Sequence, residues 1–152
     1  MYLSAKAIAE MAGQKKVHFL NDNAVRLNKS IGEAVGLENI GVHLVTVEPG
    51  HYSTEFHMHH FEEECIYVLS GDGVAILGEE SHPIGPGDFI GCPLNGLAHC
   101  MKAEGEAPLV CLVVGQRLPQ DVSDYPKLNK RLYRNDGEWN LVDHSNIQYI
   151  KQ

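Results

Sequence analysis

A chain of 152 residues with 43% hydrophobic and 21% charged side chains can form one domain with a substantial core, and its composition is that of a globular protein, not a disordered one. Its formal net charge of -8 disfavours nucleic acid and anionic membrane surfaces as partners, because both require a cationic footprint. No apolar run approaches the length that spans a bilayer, and Met1 to Gly13 lacks the charged-then-apolar pattern of a signal peptide, so the cytoplasm is the expected compartment.

Leu3 to Met11 is rich in Ala, Lys and Glu and is expected to form a short peripheral helix capped by Ser4. Brief β-like stretches follow at Val17 to Leu20 and Ala24 to Asn28, then a Gly-containing segment from Gly32 to Gly41. A clearer strand, Gly41 to Val47, is dominated by Val, Leu and Thr, and Glu48-Pro49-Gly50 turns the chain. His43 has no partner at metal spacing and reads as a core or surface strand residue.

The stretch from Gly50 to Gly73 carries the densest chemistry. Phe56-His57-Met58-His59 reads as a strand, in which alternate side chains share a face, so His57 and His59 point the same way about 7 Å apart at Cβ. Cys65 to Leu69 reads as the next strand of an antiparallel pair, with His60 to Glu63 as the connecting turn. That pairing sets Glu64 opposite His59, so two imidazoles and one carboxylate converge as a metal site would require. It also sets Ile66 opposite His57, on the floor of a cavity. His60 has the wrong parity for a ligand and reads as a loop residue or an outer support. Glu55 shares the ligand face and is a candidate general base, with a solubilising rim charge as the plainer alternative.

Val74 to Leu77, Phe89 to Cys92, Leu97 to Met101 and Leu109 to Val114 are further short strands punctuated by Gly and Pro. Such spacing argues for a β-sandwich or barrel and against parallel β-α-β units. The cysteines Cys65, Cys92, Cys100 and Cys111 fall in apolar strand-like contexts without C-x-x-C spacing and read as buried free thiols. Residues 116–152 are near neutral, with 6 basic and 5 acidic groups, whereas residues 1–115 hold 6 and 15. Val122 to Lys130 reads as an extended wrap, Arg131 to Tyr133 and Trp139 to Val142 as edge strands, and Trp139 as packing on the exterior.

The run from Gly50 through His57, His59, Glu64 and Gly71, with Tyr67-Val68-Leu69, resembles the first motif of the cupin superfamily. Gly85-Pro86-Gly87-Asp88-Phe89, Pro93, Gly96 and His99 resemble the second. The chain departs from the pattern by one extra residue between Gly50 and His57, by one between Pro93 and Gly96, and by Ala103 where the family usually has asparagine. The likeness covers about residues 40 to 115, and the tail is similar to that of some single-domain bacterial cupins. It implies an all-β double-stranded β-helix, with residues 1–39 packing on a barrel core of 40–115 and 116–152 extending the same domain. It also implies that His99 is the third imidazole of a His57, His59, Glu64 and His99 set holding one divalent transition metal ion.

Imidazole with carboxylate suits Fe, Mn, Ni, Co, Cu or Zn and leaves a position open for substrate. The expected function is therefore a small metal-dependent enzyme, a dioxygenase or a lyase/isomerase, acting on a small-molecule substrate. A non-catalytic binding or sensing module is the alternative from another class. Arg26 is far in sequence from the motifs and Arg117 ends the barrel, so a neutral or weakly charged substrate ranks above dicarboxylates and sugar phosphates. Exposed strand edges, and the habit of related single-barrel cupins, lead to the expectation of a homodimer.

Overall fold

The computed structural model describes residues 1–151. Ser4 caps the helix α1 (Ala5–Glu10) by accepting from the Ala7 amide at 3.1 Å, which satisfies one of the free donors of the first turn. The rest is β structure: β1 (Gln14–His18), β2 (Asn21–Ser30), β3 (Ile40–Val47), β4 (Met58–His59), β5 (Glu64–Ser70), β6 (Gly73–Leu77), β7 (Glu80–Ile84) and β8 (Phe89–Cys92). It continues with β9 (His99–Ala103), β10 (Leu109–Gln116), β11 (Gln120–Tyr125), β12 (Lys130–Asn135) and β13 (Glu138–Asp143). This all-β arrangement is the expected double-stranded β-helix.

One layer is a six-stranded sheet in the order β1-β2-β3-β10-β5-β8. The other consists of two smaller sheets, β7-β6-β9 and β13-β12-β11-β4. They are joined by the segment leading into β4, where Tyr52 pairs with Lys102 and His57 with His99 of β9. Residues of period two on the inner faces fill the space between layers: Val45, Val47, Ile66, Val68, Leu109 and Cys111 from the first meet Ala75, Ile84, Met101 and Ala103 from the second. Burying Leu109, Val47 and Val68 almost completely stabilises the fold by about 1.5–3 kcal/mol for each side chain.

Two glycines fix the corner between β5 and β6. A Cβ on Gly71, at φ +78°, would lie 2.2 Å from the Pro108 carbonyl oxygen, and one on Gly73 would lie 2.4 Å from that of Lys102. Neither position has room for a side chain. Close approach there sets the register of β6 on β9, and β9 carries His99.

Three expectations are corrected. The hairpin between the His57–His59 segment and Cys65–Leu69 does not form: β4 pairs with β11, and β5 pairs with β8 and β10. The two histidine-bearing turns of chain belong to one layer and Glu64 to the other. Val122 to Lys130 is not an extended wrap, since β11 completes the second layer; it also puts β12, expected as an edge, inside the sheet and leaves β13 as the edge. Trp139 on β13 is 57% exposed, but it lines the mouth of the internal cavity instead of the barrel exterior. All four cysteines are free thiols, as expected. No helix is long and apolar enough to cross a membrane among the described residues.

Candidate metal centre

Antiparallel pairing directs the first two ligands. His57 donates its amide to the His99 carbonyl at 3.2 Å and accepts from the His99 amide at 2.7 Å. Directly opposed residues of such a pair project to the same side of the sheet, so the two rings lie with centroids 4.8 Å apart. His59 follows two residues later, and its ring centroid is also 4.8 Å from that of His57. Glu64 reaches the same space from β5 in the facing layer, with Oε1 3.8 Å from His99 Nε2.

Each imidazole is turned by what its Nδ1 finds. His57 Nδ1 donates to the Glu55 carbonyl at 2.9 Å, His99 Nδ1 to the Leu97 carbonyl at 3.3 Å, and His59 Nδ1 to the Asp121 carboxylate at 2.6 Å. A carbonyl or carboxylate only accepts, so the proton of each neutral ring sits on Nδ1 and the Nε2 lone pair is free. The Nε2 atoms of His57 and His59 then face each other, with the His99 ring beside that of His57. These two nitrogens are 3.1 Å apart, and the His99 Nε2 is buried without any hydrogen-bond partner.

Converging lone pairs repel unless a cation lies between them, and a buried polar atom without a partner is costly. Burial first, then the neighbouring His99 and His59, lowers the His57 pKa to about 3, so this ring is neutral at pH 7 as a ligand must be. Burial opposes protonation of His99, but the Cys92 sulfur and Glu64 carboxylate beside it push its pKa up to about 10, so at pH 7 this ring holds a proton that a binding cation must displace. The cluster thus attracts positive charge. Three imidazole nitrogens and a carboxylate fit a divalent transition metal ion.

A different set, His59, Glu62 and Asp121, brings one ligand atom each within 4.8 Å of one another, through His59 Nδ1. Those carboxylates are already engaged. Glu62 accepts from the Leu118 amide at 2.6 Å and pairs with Arg134, while Asp121 accepts from His59, from the Phe61 amide and from the Ser123 hydroxyl. Asp121 stands behind His59 as the carboxylate that orients a ligating imidazole.

Glu55 is placed differently from the other sequence candidates. Its carboxylate accepts from Asn21 Nδ2 at 2.7 Å and does not line the cavity. His60 contacts Asn95 and Asp124, at 2.8 and 2.9 Å, and supports the tail instead of the cluster. His43 lines the cavity wall, where Asn28 Nδ2 donates to its Nδ1 at 3.2 Å.

The cluster opens into a cavity of about 450 Å³ lined in part by Ile66, Met101, Tyr125 and Trp139. The aromatic mouth is assembled from both ends of the chain, with the Phe19 ring 6.1 Å from Tyr125 and 6.3 Å from Trp139. Arg26 and Lys16 also line the cavity, which removes the premise that no guanidinium is near the motifs. Asp121, Ser123 and Tyr125 were missed in the sequence. Their alternation marks a strand with one polar face, a pattern hidden by reading Val122 to Lys130 as a wrap.

Residues 43–115 match the family model described as Cupin domain. A structure from Acidithiobacillus ferrooxidans, named provisionally a sugar phosphate isomerase, is 55% identical, with 99% of this chain and 97% of that one covered and a TM-score of 0.97. A second, named sugar phosphate isomerase from a cupin superfamily, from Silicibacter pomeroyi, is 25% identical over 91% of this chain and 93% of that one, with a TM-score of 0.79. A Thermotoga maritima protein at 22% identity and TM-score 0.59, covering 73% and 96%, shares the fold. No curated protein of assigned function matches.

Proposed function

The chain belongs to the cupin superfamily, and from that premise we propose that it is a metal-dependent isomerase of a sugar phosphate. The observation that carries this reading is the facing Nε2 pair of His57 and His59, with the unpartnered, buried His99 Nε2 and the Glu64 carboxylate close by, all lining a cavity of sugar-like size. His57, His59, Glu64 and His99 would hold the ion. The near-complete likeness to a protein named as a sugar phosphate isomerase supports the substrate class.

When bound, the ion would supply Lewis acidity toward a carbonyl or hydroxyl oxygen. The chain's own groups do the rest. Asp121 keeps the His59 proton on Nδ1, and the Glu55 carbonyl does the same for His57, so both rings present lone pairs without rotating. Tyr125 is 3% exposed and its phenol is pushed up to about 12, by burial first and then by Glu55 and Asp121. It therefore stays protonated at neutral pH and can donate a hydrogen bond to a substrate oxygen. Ile66 and Met101 exclude water beside the cluster. Glu55 tethers the β1–β2 hairpin through Asn21.

Aldose-ketose interconversion moves a proton between adjacent carbons and oxygens without net oxidation, so it requires no redox partner. The test is a panel of aldose and ketose phosphates, assayed by NMR with protein loaded in turn with Mn, Fe, Co, Ni and Zn, against a His57→Ala control. Metal-dependent interconversion by the wild type alone is the expected result. A metal-loaded protein that binds these compounds but converts none overturns the isomerase reading in favour of a binding module.

A further inference from the structure

The pairing of β1 with β2 sets Lys16 directly opposite Arg26, and both side chains line the cavity. Like charges at opposed positions destabilise a strand pair, and a carboxylate placed between them would relieve the repulsion. None is in contact with them: among the described residues neither cation makes an ion pair, and the Glu64 carboxylate acts on Arg26 only from beyond ion-pair distance. Arg26 is half-buried and spends one N–H on the Ser53 carbonyl, while a guanidinium carries five such donors. The unspent donors face a space with no protein acceptor bonded to them.

Neighbouring imidazoles register this field. His18 and His43 are both held below the ordinary histidine value, by burial first and then by positive charge, from Arg26 at His18 and from Arg117, Lys16 and Arg26 at His43. The Arg117 charge is matched in contact by Glu33, whereas Lys16 and Arg26 have no contact ion-pair partner among the described residues. In a chain whose first 115 residues carry a formal -9, two cations without a contact ion-pair partner on the wall of this cavity are the exception to be explained.

We propose that Lys16 and Arg26 form an anion subsite that takes the phosphate monoester of the substrate. The inference rests on the isomerase reading and orients its substrate, with phosphate on the β1–β2 wall and the reacting carbonyl end toward His57, His59 and His99. A phosphate dianion matches the two positive charges, and its oxygens can accept from both the guanidinium fork and the ammonium. The subsite lies wholly outside residues 43–115, so the N-terminal hairpin, not the matched barrel, selects for phosphate.

The experiment titrates inorganic phosphate into metal-free protein at low ionic strength, by calorimetry and by ³¹P NMR line width. The wild type should bind, Arg26→Gln should weaken binding about tenfold or more, and Lys16→Gln should weaken it several-fold, consistent with loss of charge-assisted hydrogen bonds. His57→Ala should leave phosphate binding within about twofold, since the imidazole cluster is not the acceptor's partner. Arg26→Lys, which keeps the charge but not the fork, should fall between wild type and Arg26→Gln. Failure of the wild type to bind phosphate, equal binding by Arg26→Gln, or a loss in His57→Ala as large as in Arg26→Gln would each overturn the subsite.

Because no metal or turnover is needed, this result is separate from that of the isomerase assay. Phosphate binding that depends on Arg26 in a protein without isomerase activity refutes the reaction and leaves the subsite standing. Isomerase activity whose KM for the phosphorylated sugar is unchanged in Arg26→Gln refutes the subsite and leaves the reaction standing.

Discussion

Residues 43–115 contain all four side chains that would meet the ion, whereas the segments on either side contain the groups that frame them. Asp121 orients His59, Tyr125 stacks 6.1 Å from the His57 ring, and Arg26, Lys16 and Trp139 line the cavity. The matched barrel is built from strands whose inner faces are aliphatic and nearly inaccessible, as at Val68 and Leu109. The β11 strand of the tail instead turns Asp121 and Ser123 inward. Barrel and flanks thus divide the work, one providing a rigid ligand cluster and the other its outer support and the walls that meet a substrate.

The largest expected effect falls on the barrel. Leu109→Ala should cost about 2–5 kcal/mol, because the side chain is 0% exposed and its neighbours cannot close the void fully; urea unfolding measures it. If Leu132→Ala on β12, which is 6% exposed, proved the more damaging of the two, the barrel would not be the stable partner. Asp121→Asn should lower the unfolding midpoint, since the buried carboxylate accepts from His59, Phe61 and Ser123, and should weaken metal binding roughly 10- to 100-fold, read by competition with a chromogenic chelator. Unaltered affinity would reduce the tail to a cover.

A smaller, pH-dependent effect belongs to the tail. Asp124 accepts from Arg131 at 2.7 Å and from His60 and His144 at 2.9 and 3.0 Å. Burial would raise its pKa, but the Arg131 and His60 hydrogen bonds outweigh this and hold it well below the usual carboxylate range. A depressed folded value gives stability that is complete above the unfolded value of about 4 and is lost as pH falls toward the folded one. Asp124→Asn should therefore be less stable than wild type at pH 7, with the two urea midpoints converging below about pH 4. Parallel curves would remove Asp124 as the tail's anchor. The smallest effect is that of Trp139→Ala, within about 0.5 kcal/mol in stability because the ring is 57% exposed, with its consequence confined to ligand affinity.

The same division explains what the residues reveal before folding. His57 and His59 are two positions apart, so strand parity alone brings them together, whereas the Gly-Pro-Gly-Asp corner leads into β8, and His99 arrives on the next strand, β9. Glu64 was assigned to the cluster through a hairpin that does not exist. It lies beside His99 because β5 is in the facing layer, so the neighbourhood the sequence suggested is reached by a different route. Asp121 and His59 are 62 positions apart, and no local period links them. Arg26 enters the cavity by pairing of β2 with β3, a contact that sequence distance concealed and that reversed the argument against anionic substrates.

The central claim is tested most directly by anomalous diffraction from crystals of protein loaded with one equivalent of Zn or Co. The account predicts a single peak about 2.0–2.2 Å from the Nε2 atoms of His57, His59 and His99 and from a Glu64 carboxylate oxygen. A peak on the Nδ1 side of His59, between Glu62 and Asp121, or no peak within reach of His99, would contradict it.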